Sequence, residues 1–105
     1  MSEPVTFTTV LGVNKKVPKS RIWIEGKRLV DAGFGVGQRY HRTAFENAIE
    51  LTIHPDGAFK VSGKGDKPII DITGKVVTER FKGDKVNVVF NAERGTIQIH
   101  NTEQA

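Results

Sequence analysis

The chain contains two copies of one pattern, and this repeat constrains the fold more than any other feature of the sequence. The first copy, RIWIEGKRLVDAGFGVGQRYHRTAFENAIELTIH, runs from Arg21 to His54, and the second, PIIDITGKVVTERFKGDKVNVVFNAERGTIQIH, runs from Pro68 to His100. An offset of 48 positions aligns the early segments, and an offset of 46 aligns the later ones and pairs His54 with His100. Each copy is too short to bury a core alone, so the two are expected to share one core.

The length and composition are typical of one soluble domain. Of the 105 residues, 37% are hydrophobic and 27% are charged. These values predict one domain over residues 1–105, with repeats at about 5–54 and 57–100 and a frayed tail at 101–105. No apolar run approaches the ~20 residues that cross a bilayer, and no export signal is recognisable, so we expect a cytoplasmic protein without membrane contact.

The alternation of apolar and polar residues predicts a mainly β fold with two short helices. Each copy reads as strand, loop, strand, short helix, strand, strand. The helices are predicted at 27–32, closed by Gly33, and at 75–80, and the loops between the first two strands are predicted at 14–20 and 62–67. The predicted strands lie at 5–11, 22–24, 38–45, 48–54, 59–62, 69–72, 85–90 and 96–100.

Basic residues are concentrated before and within the start of each copy. The run from Asn14 to Arg28 holds one acidic residue, Glu25, and six basic ones. With a net charge of +4, the chain favours acidic partners. Because the clusters recur at equivalent places, we expect the fold to bring them to one face, although each lysine alone is also typical of a solvated loop. The basic residues are Lys15, Lys16, Lys19, Arg21, Lys27 and Arg28 in the first cluster and Lys60, Lys64 and Lys67 in the second.

The segments RIWIEGKRLVDAGFGVGQRY and PIIDITGKVVTERFKGDKV resemble the swapped-hairpin barrels of the AbrB and MazE type. They share an apolar strand, a one-turn helix, and a glycine with polar and basic neighbours before a hairpin. The first copy, through LVDAGFGVGQRY, looks closest to SymE-like proteins. The resemblance covers residues 5–100 and implies a small pseudo-twofold barrel made of the two strand-strand-helix-strand-strand repeats. A double-psi or cradle-loop barrel is the alternative fold.

This resemblance also implies a function and an assembly. Members of the superfamily usually dimerise and present the basic loops between their first two strands to DNA, whereas SymE-like proteins are toxins that act on RNA or the nucleoid. Two units in one chain could close the barrel without a partner, so a monomer and a homodimer both stay open. The resemblance therefore implies a DNA-binding regulator or a SymE-like toxin.

The basic clusters predict a nucleic-acid interface that binds through phosphate neutralisation. If Ile22 and Ile24 face the core, alternation turns Trp23 outward, where it could stack on a base, although a tryptophan between two isoleucines is more often structural. The choice between DNA and RNA stays open. The predicted contacts are Lys15, Lys16, Lys19, Arg21, Trp23, Lys64 and Lys67.

No catalytic, metal or cofactor site is predicted. With no cysteine in the chain, disulfides and thiolate metal sites are excluded. His41 stands apart from His54 and His100, whose positions the repeat explains, and the helix carboxylates Asp31 and Glu79 are also repeat equivalents expected on outer faces. The glycines of GFGVGQ follow a helix and precede a strand, which is the reverse of a dinucleotide site.

A second class of function remains open beside nucleic-acid binding. The chain could be a small protein-interaction domain, such as an inhibitor or adaptor of mobile-element origin that blocks a host protein. Such a domain would be expected to use an apolar anchor patch. The basic loops favour nucleic acid.

Overall fold

The computed structural model describes residues 4–102 of the chain. Within them lie ten strands and two short helices, and neither helix is long and apolar enough to span a membrane. In chain order the elements are β1 (Val5–Val10), β2 (Gly12–Asn14), β3 (Val17–Glu25), α1 (Lys27–Asp31), β4 (Arg39–Ala44), β5 (Ala48–Ile53), β6 (Phe59–Lys60), β7 (Ser62–Lys64), β8 (Lys67–Thr73), α2 (Lys75–Thr78), β9 (Lys85–Asn91) and β10 (Thr96–Asn101).

The strands form two antiparallel sheets. One sheet has six strands in the order β1-β9-β10-β5-β4-β6, and the other has four in the order β2-β3-β8-β7. The mainly β fold with two short helices is confirmed, but the predicted closed barrel is wrong, because the described strands form two sheets with free edges. The chain passes between the sheets at Leu11, which joins β1 to β2, and at Val61, which joins β6 to β7.

Each strand of the first half has an equivalent in the second half. When every strand is replaced by its equivalent, the order of each sheet reads the same in the opposite direction, so the fold has an internal pseudo-twofold axis. The axis is visible in the pairing: Trp23 lies opposite Asp71 in the four-stranded sheet, and Glu50 lies opposite Gln98 in the six-stranded sheet. The residues of each pair are 48 positions apart. The halves also exchange strands, since β1 pairs with β9 and β6 pairs with β4.

The two hairpins of the six-stranded sheet have turns of different length. Two residues form the turn between β4 and β5, whereas four separate the paired ends of β9 and β10. The second turn is two residues longer, so the offset between equivalent positions rises from 46 in β4 and β9 to 48 in β5 and β10. Leu51 is therefore the equivalent of Ile99. The predicted equivalence of His54 and His100 is therefore wrong, because it assumed an offset of 46 there.

The core lies between the inner faces of the two sheets. Alternating residues of the central strands are fully buried, and α1 and α2 each contribute one buried residue, Leu29 and Val77. The predicted cap of α1 is confirmed, since Gly33 has φ 91° and the N–H of Phe34 donates to the Leu29 carbonyl at 2.8 Å. The strand residues with at most 1% exposure are Ile22, Ile24, Ile70 and Ile72 from one sheet and Ile49, Leu51, Val86, Val88, Ile97 and Ile99 from the other.

Three segments predicted to be irregular are regular in the structure. The predicted loops at 14–20 and 62–67 are tight hairpins, and β3 includes Pro18, which a shift in register between β2 and β3 accommodates. At the other end, Asn101 closes β10, and its side-chain amide donates to the carbonyls of Asn47 and Arg80. Residues 103–105 of the predicted frayed tail lie outside the described residues.

Candidate nucleic-acid interface

Two basic hairpin tips project from the four-stranded sheet. The first basic tip is the turn between β2 and β3, formed by Lys15 and Lys16. The second basic tip is the pair Lys64 and Lys67, which lie opposite each other at the base of the turn between β7 and β8. Both tips coincide with the loops between the first two strands of each half, where the sequence predicts basic contacts.

The tips lie at opposite ends of the sheet. β3 and β8 are antiparallel and cross at Trp23 and Asp71; the first tip begins seven residues from this crossing, at Lys16, and the second begins four residues from it, at Lys67. At ~3.3 Å per residue straight strands would span roughly 36 Å, and the longest dimension of the molecule is 31 Å, so the two tips are roughly 30 Å apart. The fold therefore does not bring the two tips close together, because antiparallel pairing of equivalent strands separates their ends, and that the basic clusters share one face stays a prediction.

The first tip has an unusual backbone. Among the described residues, the non-glycine residues with positive φ are Lys15 at 51°, Lys16 at 69° and Lys19 at 58°. A two-residue hairpin turn with both φ values positive favours Asn-Gly, and the left-handed region costs other L-residues roughly 1–2 kcal/mol each. The second turn follows the usual rule, with Gly65 at φ 59°. The first tip thus has lysines at two positions where asparagine and glycine would be less strained.

Two of the predicted contacts are neutralised by carboxylates. Lys19 Nζ lies 2.9 Å from Asp84 Oδ1, and this hydrogen bond holds the pKa of Asp84 below its usual value. Arg21 donates from Nε and Nη2 to the two oxygens of Asp71, at 2.9 and 2.8 Å, and this pairing raises the pKa of Arg21. Both arrangements lie at the surface, so their charge is compensated where a polyanion would approach.

The lysines of the two tips are different in this respect. Within residues 4–102, none of these four side chains forms an ion pair, and all four residues are exposed. Their charges are therefore free to meet an external anion. The predicted site therefore has two parts. Four unpaired lysines lie at the tips, and between them lies a compensated centre, in which Lys19 and Arg21 are paired with Asp84 and Asp71.

Trp23 lies at this compensated centre. Its side chain is 39% exposed, while Ile22 and Ile24 are buried, so the predicted outward orientation of Trp23 is confirmed. The Arg21 guanidinium stacks on the indole at 4.6 Å from the ring centroid, and the indole N–H donates to Glu25 Oε1 at 2.7 Å. One ring face is already occupied and the ring is fixed, which leaves only the other face for an external group.

Sequence reasoning missed a further lysine beside the first tip. The N–H of Gly74 donates to the Ser20 carbonyl at 3.0 Å, which brings the start of α2 and Lys75 next to the first hairpin. Lys75 has no ion-pair partner among the described residues, whereas its equivalent Lys27 lies 3.6 Å from Asp31. A cleft of about 180 Å³ separates hairpin and helix, and it is lined by Asn14, Lys15, Val17, Ser20, Gly74, Lys75 and Thr78. The only sequence signal was the alignment of Lys75 with Lys27, which does not show that α2 packs against the other half.

Two of the three histidines lie close together. His41 in β4 and His54, which directly follows β5, have ring centroids 4.5 Å apart, and His54 Nδ1 accepts a hydrogen bond from the N–H of Asp56. Within residues 4–102 no group of three or more His, Asp or Glu side chains is arranged to hold a metal ion. The contact between the two rings was not predicted, because the sequence argument paired His54 with His100.

Comparison of the chain with family models, with curated protein sequences and with solved structures found no match. The resemblance to swapped-hairpin proteins therefore stays a prediction. The function has to be argued from the surface of the molecule itself.

Proposed function

We propose that the protein binds nucleic acid through phosphate contacts made by its two basic tips. The observation that carries the proposal is the set of four exposed, unpaired lysines at the tips, Lys15, Lys16, Lys64 and Lys67. Lysines near a polyanion displace condensed counterions, which is a favourable and salt-dependent contribution to binding. Lys75 adds a further unpaired charge beside the first tip.

The backbone of the first tip supports this proposal. Strained φ values cluster where a side chain is needed for function, because a less strained residue would otherwise be more stable. Lys15 and Lys16 occupy positive φ values in an exposed turn and make no ion pair that would offset the strain. An external anion gives these lysines a role that packing does not.

The separation of the tips indicates a long ligand. A small anion can contact one tip at a time, whereas a partner that contacts both must extend over roughly 30 Å. A nucleic acid carries phosphates along that whole length. The same separation argues against a compact acidic metabolite as the main ligand.

The exposed aromatic residues support a protein partner less than the tips support a nucleic acid. The exposed aromatic residues Trp23 and Phe45 lie on different sheets, Trp23 in β3 where it crosses β8 and Phe45 directly after β4. Protein interfaces usually depend on aromatic or arginine anchors grouped at the centre of one patch. The exchange of β1 and β6 between the halves is compatible with a swapped-hairpin origin of the fold, and a DNA-binding regulator and a SymE-like toxin both remain roles for such a module.

The test is fluorescence anisotropy of labelled duplex DNA, single-stranded DNA and RNA at several salt concentrations. If all four tip lysines contact phosphates of a duplex, the slope of log K against log salt should be about −3.6, or about −0.9 per contact. The double substitution Lys15→Gln/Lys16→Gln should reduce the slope by about two contacts. The three polymers decide between DNA and RNA.

A matched control removes the same charge elsewhere. Lys60 in β6 and Arg94 in the turn after β9 are exposed and have no ion-pair partner among the described residues. Lys60→Gln/Arg94→Gln should therefore leave the slope close to that of the wild type. Equal losses in the two double variants would mean that net charge, and not the tips, drives binding, and no binding of any polymer at low salt would refute the proposal.

A further inference from the structure

The cleft between the first hairpin and α2 combines an apolar surface with two free positive charges. Most of its surface is carbon, to which the exposed Val17 side chain contributes. Lys15 and Lys75 line it from opposite sides, and neither forms an ion pair within residues 4–102. The half-buried side chains of Asn14 and Thr78 add an amide and a hydroxyl. The cleft therefore offers apolar contact, hydrogen bonds and positive charge to one ligand.

The hairpin side of the cleft is held in place by Ser20. This residue is 2% exposed, and its hydroxyl accepts a hydrogen bond from the N–H of Asn14 at 3.2 Å and donates one to the Val17 carbonyl at 2.6 Å. Its carbonyl accepts the bond from the N–H of Gly74 that joins hairpin and helix. The cleft is thus formed before any ligand binds, which lowers the entropic cost of binding.

The pseudo-twofold axis provides an internal comparison. The N–H of Gly26 donates to the Pro68 carbonyl at 3.2 Å, just as the N–H of Gly74 donates to the Ser20 carbonyl at 3.0 Å. The backbone contact between helix and hairpin is therefore the same in both halves. Any side chain that this contact required would be expected at both places.

The side chains that make the first cleft polar are different in the second half. The first residue of the turn is a lysine in one hairpin and a glycine in the other. The helix has a hydroxyl in α2 and an apolar side chain in α1, and the lysine that is unpaired in α2 is 3.6 Å from Asp31 in α1. The fold alone does not require the polar set of the first cleft. The corresponding pairs are Lys15 and Gly65, Thr78 and Val30, and Lys75 and Lys27.

The size of the cleft limits the ligand to one small group. Its volume of about 180 Å³ equals that of about six molecules of liquid water and is below the roughly 300–1,000 Å³ of pockets that enclose a whole drug-sized ligand. A phosphate alone would leave the carbon surface unused, and an apolar side chain would leave both lysines without an anion. A nucleotide uses both features, because its planar base has an apolar face and a hydrogen-bonding edge and its phosphate is negative.

We propose that this cleft binds one unpaired nucleotide of a single-stranded nucleic-acid segment. The base packs against Val17 and hydrogen-bonds to Asn14 and Thr78, and the phosphate contacts Lys15 and Lys75. A base inside a duplex is stacked and paired and cannot enter. The inference rests on the nucleic-acid binding proposed for the tips, and it adds that the first tip prefers an unpaired end or loop to a continuous duplex.

Anisotropy with a blunt duplex and with the same duplex carrying a single-stranded overhang tests this preference. The overhang should strengthen binding about fivefold to tenfold, as expected for one or two net hydrogen bonds. Thr78→Val introduces the side chain type that α1 has at the equivalent position and changes no charge. It should remove most of the advantage of the overhang and leave the affinity for the blunt duplex and its salt slope unchanged. The matched control Val30→Thr, at an exposed position of α1, should keep the advantage.

Amide chemical shifts show whether the base or only the phosphate is bound. A nucleoside monophosphate should shift the signals of Asn14, Gly74 and Thr78, and ribose phosphate, which has no base, should shift them much less. Equal shifts with the two compounds would reduce the cleft to an anion site and overturn the proposal. Larger shifts of these signals with a phosphopeptide would also overturn it, in favour of a protein ligand.

The two proposals can fail separately. A blunt duplex that binds with the expected salt slope while the overhang gives no advantage, or gives one that Thr78→Val retains, would overturn the nucleotide cleft and leave the tips as the interface. If no polymer binds at low salt, both proposals are refuted.

Discussion

The double substitution Lys15→Asn/Lys16→Gly separates the stability of the first tip from its proposed function. It replaces two strained lysines by the pair that a two-residue hairpin turn with positive φ values favours. We expect the variant to be more stable than the wild type and to bind nucleic acid less tightly. A change that improves the fold and impairs binding is the signature of residues retained for their side chains.

The magnitude follows from the two φ values. Lysines at 51° and 69° each cost roughly 1–2 kcal/mol relative to an unstrained conformation, and glycine returns about 0.5–1 kcal/mol of this through its freer unfolded state. The two lysines together cost about 2–4 kcal/mol, so the net gain should be about 1–3 kcal/mol, and each kcal/mol should raise Tm by about 4–8 °C for a domain of this size. Loss of two phosphate contacts should lower the affinity on the order of 10- to 100-fold near 0.1 M salt.

Calorimetry and anisotropy on three proteins measure both effects. Beside the wild type and Lys15→Asn/Lys16→Gly, the variant Lys15→Gln/Lys16→Gln removes the charges but keeps side chains that are strained in the turn. It should lose affinity without gaining stability. If Lys15→Asn/Lys16→Gly does not raise Tm, the premise of strain is refuted; if it raises Tm and binds as tightly as the wild type, the link between strain and binding is refuted.

Other expectations concern Asp84 and two packed positions. Asp84→Asn should free Lys19, so the salt slope of binding should steepen by up to about one contact in the anisotropy assay; an unchanged slope would mean that Lys19 does not reach the ligand. Because the pKa of Asp84 is lowered in the folded protein, its stabilising effect is present above its unfolded pKa and is lost as pH falls through the folded value, so the Tm advantage over Asp84→Asn should shrink and then disappear as pH falls below the ordinary range of an aspartate carboxyl. Gly57→Ala would place a Cβ 2.3 Å from the Tyr40 backbone and should lower unfolding free energy by about 3 kcal/mol in urea titration. Ile97→Ala, at a buried position, should cost about 2–5 kcal/mol in the same assay, and a smaller loss would indicate that the core relaxes around the cavity.

Local features of the fold were predictable from the sequence. Alternation identified most strands and turned Trp23 outward, and the sequence before Gly33 indicated α1 and its cap. These features depend on residues that are close in the chain. The tight turn at Lys15 and Lys16 is also local, but the sequence did not indicate it. A left-handed turn is usually marked by glycine or asparagine, and two lysines give no such signal.

Features that depend on distant residues were not predictable. Arg21 and Asp71 are 50 positions apart and come together only because β3 pairs with β8. The separation of the basic tips depends on the same pairing, since parallel neighbours would have placed both tips at one end. The repeat indicated that the halves correspond but did not give the direction or register in which they meet.

The axis through the two sheets explains why the halves are best kept in one chain. In an assembly of two identical half-chains, a residue on the axis would face its own copy, and Glu50 would then lie opposite a second glutamate. The covalent link allows the two axis positions to differ, and here Gln98 Nε2 donates to Glu50 Oε2 at 2.7 Å. A repulsive carboxylate pair is replaced by a hydrogen bond, so the first half would make an electrostatically poorer partner for itself than the second half does.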